Sequence, residues 1–313
     1  MDERPRDSAA EMPQTVTFDA IMPASIAMRV EASGVQRASL DPLTLFVLSI
    51  LGGAFVAFGA VFATTVSAGS VLAVGPDGGT EFSATLPYGI ARLLTGLAFT
   101  TGLILIVIGG AELFTGNNLI VIAWASGKVR TRDVVLNWIL AFSGNFVGAF
   151  LTAVLMFQTT QYTFGSGAVG LTALATANAK AALPFIPALT LGIMCNALVC
   201  LAVWMCFAGR TIVDKVFASV PPIAAFAAAG FEHCIANIYF IPMGLFIRSG
   251  APDSFWAAIG KTAADFPALT WRNFLIGNLL PVTIGNIIGG TVMVAAVYWF
   301  VYLRKRQHQQ AQP

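Results

Sequence analysis

Two stretches decide the fold: Gly110-Ala-Glu112-Leu-Phe-Thr115-Gly-Asn117 and Gly230-Phe-Glu232-His233-Cys-Ile-Ala-Asn237. In both, a glutamate follows the glycine by two residues, and an asparagine follows the glutamate by five. Each stretch interrupts an apolar run long enough for a membrane helix, where an ionisable side chain costs about 2.5–3.5 kcal/mol or more. Paired polar interruptions in the two halves of a membrane protein are the sequence sign of a permeation site.

The composition around these stretches indicates an integral membrane protein. The chain is 57% hydrophobic and 10% charged, whereas a soluble domain carries about 25% charged residues. The net charge of +2 and the dispersed basic residues do not indicate nucleic-acid binding. We predict no metal or cofactor, because the four cysteines lie in apolar segments without CxxC spacing. They are Cys195, Cys200, Cys206 and Cys234.

Six apolar runs reach the roughly 20 residues that a span needs. We predict spans at 42–66, 88–126, 134–157, 185–208, 217–247 and 274–303. They form a transport domain over 42–303, between an N-terminal segment 1–41 and a tail 304–313. The second and fifth spans should be broken, with bends at Gly109-Gly110, at Pro221-Pro222 and at Gly230. Broken backbone at membrane depth is tolerated only where it lines a cavity or is buried in protein.

The distribution of lysine and arginine predicts the orientation of these spans. Twelve such residues fall on the side of the two termini and five on the other side. The positive-inside rule therefore places both termini in the cytoplasm, and we expect a multi-pass protein of a bacterial inner membrane. The stretch Phe18–Val35 is mildly amphipathic and could lie on the membrane surface or dock on the protein. Met1–Thr15 and Gln307–Pro313 are polar and predicted to be disordered.

A second motif indicates that the chain contains two copies of one repeated unit. Gly144-Asn145-Phe-Val-Gly148 in the third span matches Gly285-Asn286-Ile-Ile-Gly289 in the sixth. Three spans per unit is an odd number, so the units at about 42–157 and 185–303 must cross the membrane in opposite directions. We predict an all-α fold of two inverted three-helix repeats. For Asn145 and Asn286, a structural hydrogen bond and a place in the pore lining both remain open.

His233 is the only histidine in a span, and an imidazole titrates near neutrality. An anion beside it would raise its proton affinity, so the pair could share a proton and the neutral acid could cross an apolar barrier. The alternative is a core histidine with satisfied hydrogen bonds. Glu112 and Glu232 could bond the exposed N–H groups of the half-helices or relay protons, and both interpretations stay open.

The residues also resemble a known family. The runs Ile108-Gly-Gly-Ala-Glu112-Leu113-Phe-Thr115-Gly and Gly192-Ile-Met-Cys195-Asn196-Ala-Leu-Val-Cys200-Leu-Ala resemble two signatures of the formate–nitrite transporter family. The stretch Gly230–Arg248 resembles its formate-channel branch. The resemblance implies an aquaporin-like six-helix bundle, assembled as a homopentamer with one pore per protomer. It also implies transport of formate and similar small monovalent acid anions, with nitrite transport as the alternative.

The same resemblance implies roles for particular side chains. Thr115 would meet His233, and Lys180 would stand in an external vestibule. The alternatives are a helix-capping hydroxyl for Thr115 and a solvated charge for Lys180. Two constrictions would flank the histidine, an external pair and a cytoplasmic pair, and two asparagines would line the path. The alternative for the two phenylalanines is a lipid-facing position or interhelical packing. These residues are Phe99 and Phe226, Leu103 and Leu113, and Asn196 and Asn286.

Other function classes are less consistent with the sequence. A water or glycerol channel is disfavoured, because Asn117 and Asn237 at the breaks are not followed by proline. An intramembrane enzyme is disfavoured too, because His233 and Cys234 are neighbours that point apart on a helix. The sequence leaves open whether the protein is a channel or a proton symporter, and in which direction it transports.

Overall fold

The computed structural model describes residues 21–68, 70–74 and 80–304. Helices dominate this part of the chain. In chain order they are α1 (Pro23–Ala38), α2 (Pro42–Ser67), α3 (Tyr88–Gly109), α4 (Phe114–Ala125), α5 (Thr131–Gln158), α6 (Ala168–Ala181), α7 (Phe185–Cys206), α8 (Ile212–Ala229), α9 (Cys234–Gly250), α10 (Asp253–Ile259) and α11 (Asn273–Tyr302).

Six of the described helices, α2, α3, α5, α7, α8 and α11, are long and apolar enough to cross a membrane. The short α4 and α9 continue the second and fifth spans after a break. The predicted six-span fold with broken second and fifth helices is therefore confirmed. One element was not predicted: an antiparallel hairpin of strands β1 (Ser70–Val74) and β2 (Thr80–Thr85) between α2 and α3.

Both breaks are made by a glycine. Gly110 ends α3 with φ of +74°, and Gly230 ends α8 with φ of +79°. This left-handed conformation is open to glycine at no steric cost and turns the chain out of the helix. Pro221 and Pro222 do not break the fifth span, since both prolines lie inside the continuous α8. Proline removes a backbone donor but keeps a helical φ, so at this place it does not end the helix.

The two repeats pack in the same way. In the first, α2 packs against α5, and in the second, α7 packs against α11. A Cβ at Gly148 would collide with the carbonyl of Ile50, and one at Gly289 would collide with that of Ile193. The last glycine of each GNxxG motif thus lets two spans approach to backbone contact.

The N-terminal helix α1 is docked on the protein. Ile26, Ala27 and Val30 are buried in one cluster with Leu119 and Ile122 of α4. The docked alternative is therefore the one that the structure adopts for the part of Phe18–Val35 that it describes. Both predicted disordered tails lie outside the described residues.

Candidate functional site

Asn145 holds the start of the first half-helix. Its Oδ1 accepts a hydrogen bond from the N–H of Phe114 at 2.8 Å, in the first turn of α4. Its Nδ2 donates to the carbonyls of Ser49 at 2.6 Å and Glu112 at 2.9 Å. The side chain is fully buried, and these bonds connect α5 to both α2 and the break.

Asn286 holds the second half-helix with the same set of bonds. Its Oδ1 accepts from the N–H of Cys234 at 2.9 Å. Its Nδ2 donates to the carbonyls of Gly192 at 2.8 Å and Glu232 at 2.9 Å. The two asparagines therefore occupy structural positions, and their amides, not the glutamate carboxylates, bond the first N–H groups of the half-helices.

The Glu232 carboxylate is instead the centre of a buried polar network. Oε1 lies 2.7 Å from Nζ of Lys180. Oε2 accepts from Nδ2 of Asn237 at 2.6 Å and from Nδ2 of Asn278 at 3.2 Å. Asn278 also donates to the backbone carbonyl of Lys180. A buried carboxylate needs partners of this kind, because an unpaired charge in the interior is costly.

Glu112 has a looser version of this network. Its Oε1 lies 3.6 Å from Nε of Arg37, which comes from α1. Arg37 also donates from Nη1 to Oδ1 of Asn117 at 2.8 Å, and Nδ2 of Asn117 donates to Asn137. Asn137 in turn donates to the backbone carbonyl of Arg37, as Asn278 does to that of Lys180. The repeat therefore extends beyond the six spans, because α1 and α6 supply equivalent cations.

His233 and Thr115 meet where the two half-helices converge. Thr115 Oγ1 lies 3.0 Å from His233 Nε2, and both residues are buried. His233 Nδ1 accepts a hydrogen bond from the N–H of Ala236 at 3.1 Å, so the imidazole is the N-cap of α9. An Nδ1 that accepts cannot carry a proton. In a neutral ring the proton is therefore on Nε2 and points toward Thr115.

Three cavities lie in this region; His233 lines two of them, and Thr115 lines none. A cavity of about 290 Å³, which we call the α1 vestibule, is lined by Arg29, Arg37, Glu112 and Lys215. A cavity of about 90 Å³ on the other side of the histidine, the Lys180 vestibule, is lined by Lys180, Arg92 and His233. Both vestibules therefore offer positive charge to an anion.

Between the vestibules lies a central chamber of about 20 Å³, room for about one water molecule. It shares Phe99, Phe226 and His233 with the Lys180 vestibule, and Leu103 and Leu113 with the α1 vestibule. The four apolar side chains thus lie at the two ends of the chamber. We call Phe99 and Phe226, whose ring centroids are 5.5 Å apart in an edge-on contact, the phenylalanine constriction.

Asn196 and Asn286 lie outside the three cavities. Asn196 donates to the backbone carbonyls of Asn286 at 2.6 Å and Thr115 at 3.3 Å. Neither Asn196 nor Asn286 lines the vestibules or the chamber. Within the described part of the chain, no group of three His, Cys, Asp or Glu side chains could hold a metal ion.

Sequence reasoning did not identify Asn137, Asn278 or the contact of Arg37 as parts of the site. A signal for the asparagines was present, because Asn137 precedes Asn145 by eight residues and Asn278 precedes Asn286 by eight. No comparable local pattern marks Arg37. Its role depends on how α1 docks.

Comparison with known proteins agrees with this architecture. The family model described as "Formate/nitrite transporter" matches residues 24–300. The formate channel FocA of Escherichia coli (strain K12) is 44% identical over 291 residues, which are 93% of this chain and 98% of that protein. The formate channel FocA of Haemophilus influenzae is 37% identical, over 90% of this chain and 94% of that protein.

Solved structures show the same similarity. A structure described as a pentameric formate channel with formate bound matches with a TM-score of 0.75 and 42% sequence identity. That match covers 84% of this chain and 98% of the other. An ion channel of the same family matches with a TM-score of 0.69 and 26% identity, over 88% and 98% of the two chains.

Proposed function

This chain belongs to the formate/nitrite transporter family, and from that premise we propose that it carries formate and similar small monovalent acid anions across a membrane. The observation that supports this most directly is the Thr115–His233 pair between two positively charged vestibules. The similar proteins from Escherichia coli and Haemophilus influenzae are formate channels.

We propose that the solute crosses the central chamber as the neutral acid. A small anion loses its hydration between apolar side chains and gains little in return. The walls of the chamber, apart from His233, are apolar or glycine: Val56, Phe99, Gly102, Leu103, Ile106, Leu113, Val199, Ile223 and Phe226. A charged solute is therefore held in the vestibules, while a protonated one can pass.

The hydrogen-bond geometry of the pair suits a carboxylic acid. The carbonyl oxygen of the acid can accept from Nε2–H of His233, and its O–H can donate to Oγ1 of Thr115. The solute then replaces the direct bond between the two side chains. In this proposal the proton that is transported with the anion enters bound to it, as part of the neutral acid. A second proton on the ring would have to sit on Nδ1, where it would displace the N–H of Ala236 and uncap α9.

Lys180 and the cations of the α1 vestibule would raise the local concentration of the anion at the two entrances. The excess of lysine and arginine on the side of the termini favours a cytoplasmic α1 vestibule. By analogy with the pentameric relative, we propose that five copies assemble in the lipid bilayer of a bacterial inner membrane, each with its own pore. The same relatives support a transporter without enzymatic activity.

The test is solute flux into vesicles that contain the purified protein, compared with empty vesicles. Formate should enter much faster than into the empty vesicles, and glycerol should enter no faster. Nitrite is measured in the same series, and a nitrite flux well above the formate flux would favour the nitrite alternative. Absence of flux for every small anion would reject the proposal.

A further inference from the structure

Arg92 lines the Lys180 vestibule, but its guanidinium also points at the end of α8. Nε donates to the carbonyl of Ala228 at 2.8 Å, and Nη2 donates to the carbonyl of Ala227 at 2.7 Å. These carbonyls belong to the last turn of a helix that stops at Gly230. The last carbonyls of a helix lack partners within it and carry its partial negative charge, so a guanidinium suits them.

The turn that Arg92 holds is also the turn that carries Phe226. The N–H of Gly230 donates to the carbonyl of Ala227, and the N–H of Phe231 donates to that of Phe226. This closing turn fixes the backbone of Phe226 immediately before the break. Arg92 therefore contacts the same turn that presents one ring of the phenylalanine constriction.

On its own helix, Arg92 is aligned with the other ring. Arg92, Gly96 and Phe99 are spaced i, i+4 and i+7, so they share one face of α3. Gly96 lies so close to α8 that a Cβ there would collide with the carbonyl of Ala224. Phe99 contacts Phe226. The contact between α3 and α8 thus has three levels: the guanidinium fork, the glycine contact and the two rings.

We infer that Arg92 is a positioning residue, which fixes the phenylalanine constriction by tying the last turn of α8 to α3. The inference rests on the proposed function in one respect, since the constriction matters only if a solute passes it. The competing role is that Arg92 merely attracts anions to the vestibule. Any positive charge could do that, whereas the two N–H donors that point the same way from the planar guanidinium fit the carbonyls of two consecutive residues better than the single nitrogen of lysine does.

The first readout is amide hydrogen exchange in peptides covering residues 222–231, which does not depend on transport. Arg92→Gln should accelerate exchange of the Gly230 and Phe231 amides by about tenfold, because charge-assisted bonds that order the turn are lost. Arg92→Lys should give intermediate exchange and also serves if the glutamine variant does not fold. Arg248→Gln is the matched control, since Arg248 donates to Ala263 and Leu269 away from the pore. It should leave 222–231 unchanged.

The second readout is the ratio of propionate to formate flux in vesicles. A loosened constriction should admit the larger acid, so the ratio should rise severalfold in Arg92→Gln and stay constant in Arg248→Gln. Wild-type exchange at 222–231 in Arg92→Gln, or in Arg92→Lys if the former does not fold, would overturn the inference. If the wild-type protein carries no anion at all, the proposed function fails, and hydrogen exchange still decides the role of Arg92.

Discussion

The two breaks share a scaffold and differ most clearly in the residue that follows the glutamate. Each has a left-handed glycine, a buried asparagine that bonds the half-helix, and a glutamate near a cation. The residue that follows the glutamate is Leu113 in the first break and His233 in the second. Leu113 has no side-chain cap on its half-helix, whereas His233 caps α9 with Nδ1. The repeated residues build the broken fold, while the proposed transport chemistry depends on two residues that are not repeated: His233, which matches Leu113, and Thr115, which matches Ile235.

A second difference concerns the charges. Lys180 and Glu232 are 2.7 Å apart, with side chains 16% and 3% exposed. Arg37 and Glu112 are 3.6 Å apart, with side chains 27% and 9% exposed. The Lys180–Glu232 pair is therefore shorter and less exposed to solvent than the Arg37–Glu112 pair. The Arg37–Glu112 pair lines the α1 vestibule, and its Arg37 comes from the docked α1.

The largest expected effect tests the shared scaffold. Asn145→Leu and Asn286→Leu each leave one N–H and two carbonyls without their amide partner in the interior. Each should lower the free energy of unfolding by about 3 kcal/mol or more, measured by denaturation in detergent. Ile287→Leu, on the same helix as Asn286, is the control and should cost less than about 1.5 kcal/mol. A large loss in only one of the two asparagine variants would show that the repeats are not equivalent.

The next effect tests the difference between the charge pairs. Lys180→Met leaves a buried carboxylate without its cation and should cost about 3 kcal/mol. Arg37→Met removes a longer, more exposed pair and one hydrogen bond and should cost about 1 kcal/mol. Thermal unfolding in detergent measures both. The double variants Lys180→Met/Glu232→Gln and Arg37→Met/Glu112→Gln should recover part of each loss. Equal losses of stability in Lys180→Met and Arg37→Met would show that the two ion pairs do not differ in their contribution.

The smallest effect concerns the first helix of each repeat. Asp41 caps α2, where its carboxylate accepts from the N–H groups of Leu43 and Thr44. Pro184 precedes α7 without a side-chain cap. The Thr44 side chain, with these backbone N–H groups, holds the pKa of Asp41 below its ordinary value. This stabilisation is present above the unfolded pKa, about 3.9, and is lost as pH falls through the lower folded pKa.

Asp41→Ala should therefore lower the melting temperature slightly at pH 7, and the gap to the wild type should close at acid pH. Asp41→Asn keeps a capping oxygen but no titratable charge, so the stability of this variant relative to Asp41→Ala should change little between the two pH values. Scans of thermal unfolding between pH 3 and pH 7 measure this. A constant gap across that range would contradict the role of the ionised carboxylate.

Much of the fold was predictable because its determinants are local. Span length, the glycine that starts each break and the GNxxG repeat are patterns of neighbouring residues, and the structure has all of them. The break of the fifth span lies at the left-handed Gly230 and not at Pro221-Pro222, which stay inside the continuous α8. The hairpin between α2 and α3 was not predicted.

The site was predictable in part, for the same reason. Glu112, Glu232, His233 and Thr115 stand out as polar residues in apolar runs. Their partners do not, because Arg37 is identified only once α1 is docked, and the contact of Asn278 with Glu232 depends on how α11 packs. Whether an amide or a carboxylate bonds a half-helix is likewise decided by packing geometry, which neither motif specifies.

The most direct test of the account is formate uptake into vesicles with a pH-sensitive dye inside, for the wild type, His233→Asn and His233→Leu. His233→Asn keeps an N-cap acceptor, and His233→Leu makes the second break resemble the first. Wild-type uptake should acidify the interior in step with formate entry, beyond the empty-vesicle background. Both variants should fold and fall toward that background. Formate entry that charges the membrane without moving protons would contradict passage of the neutral acid. An undiminished flux in His233→Leu would contradict the role of His233.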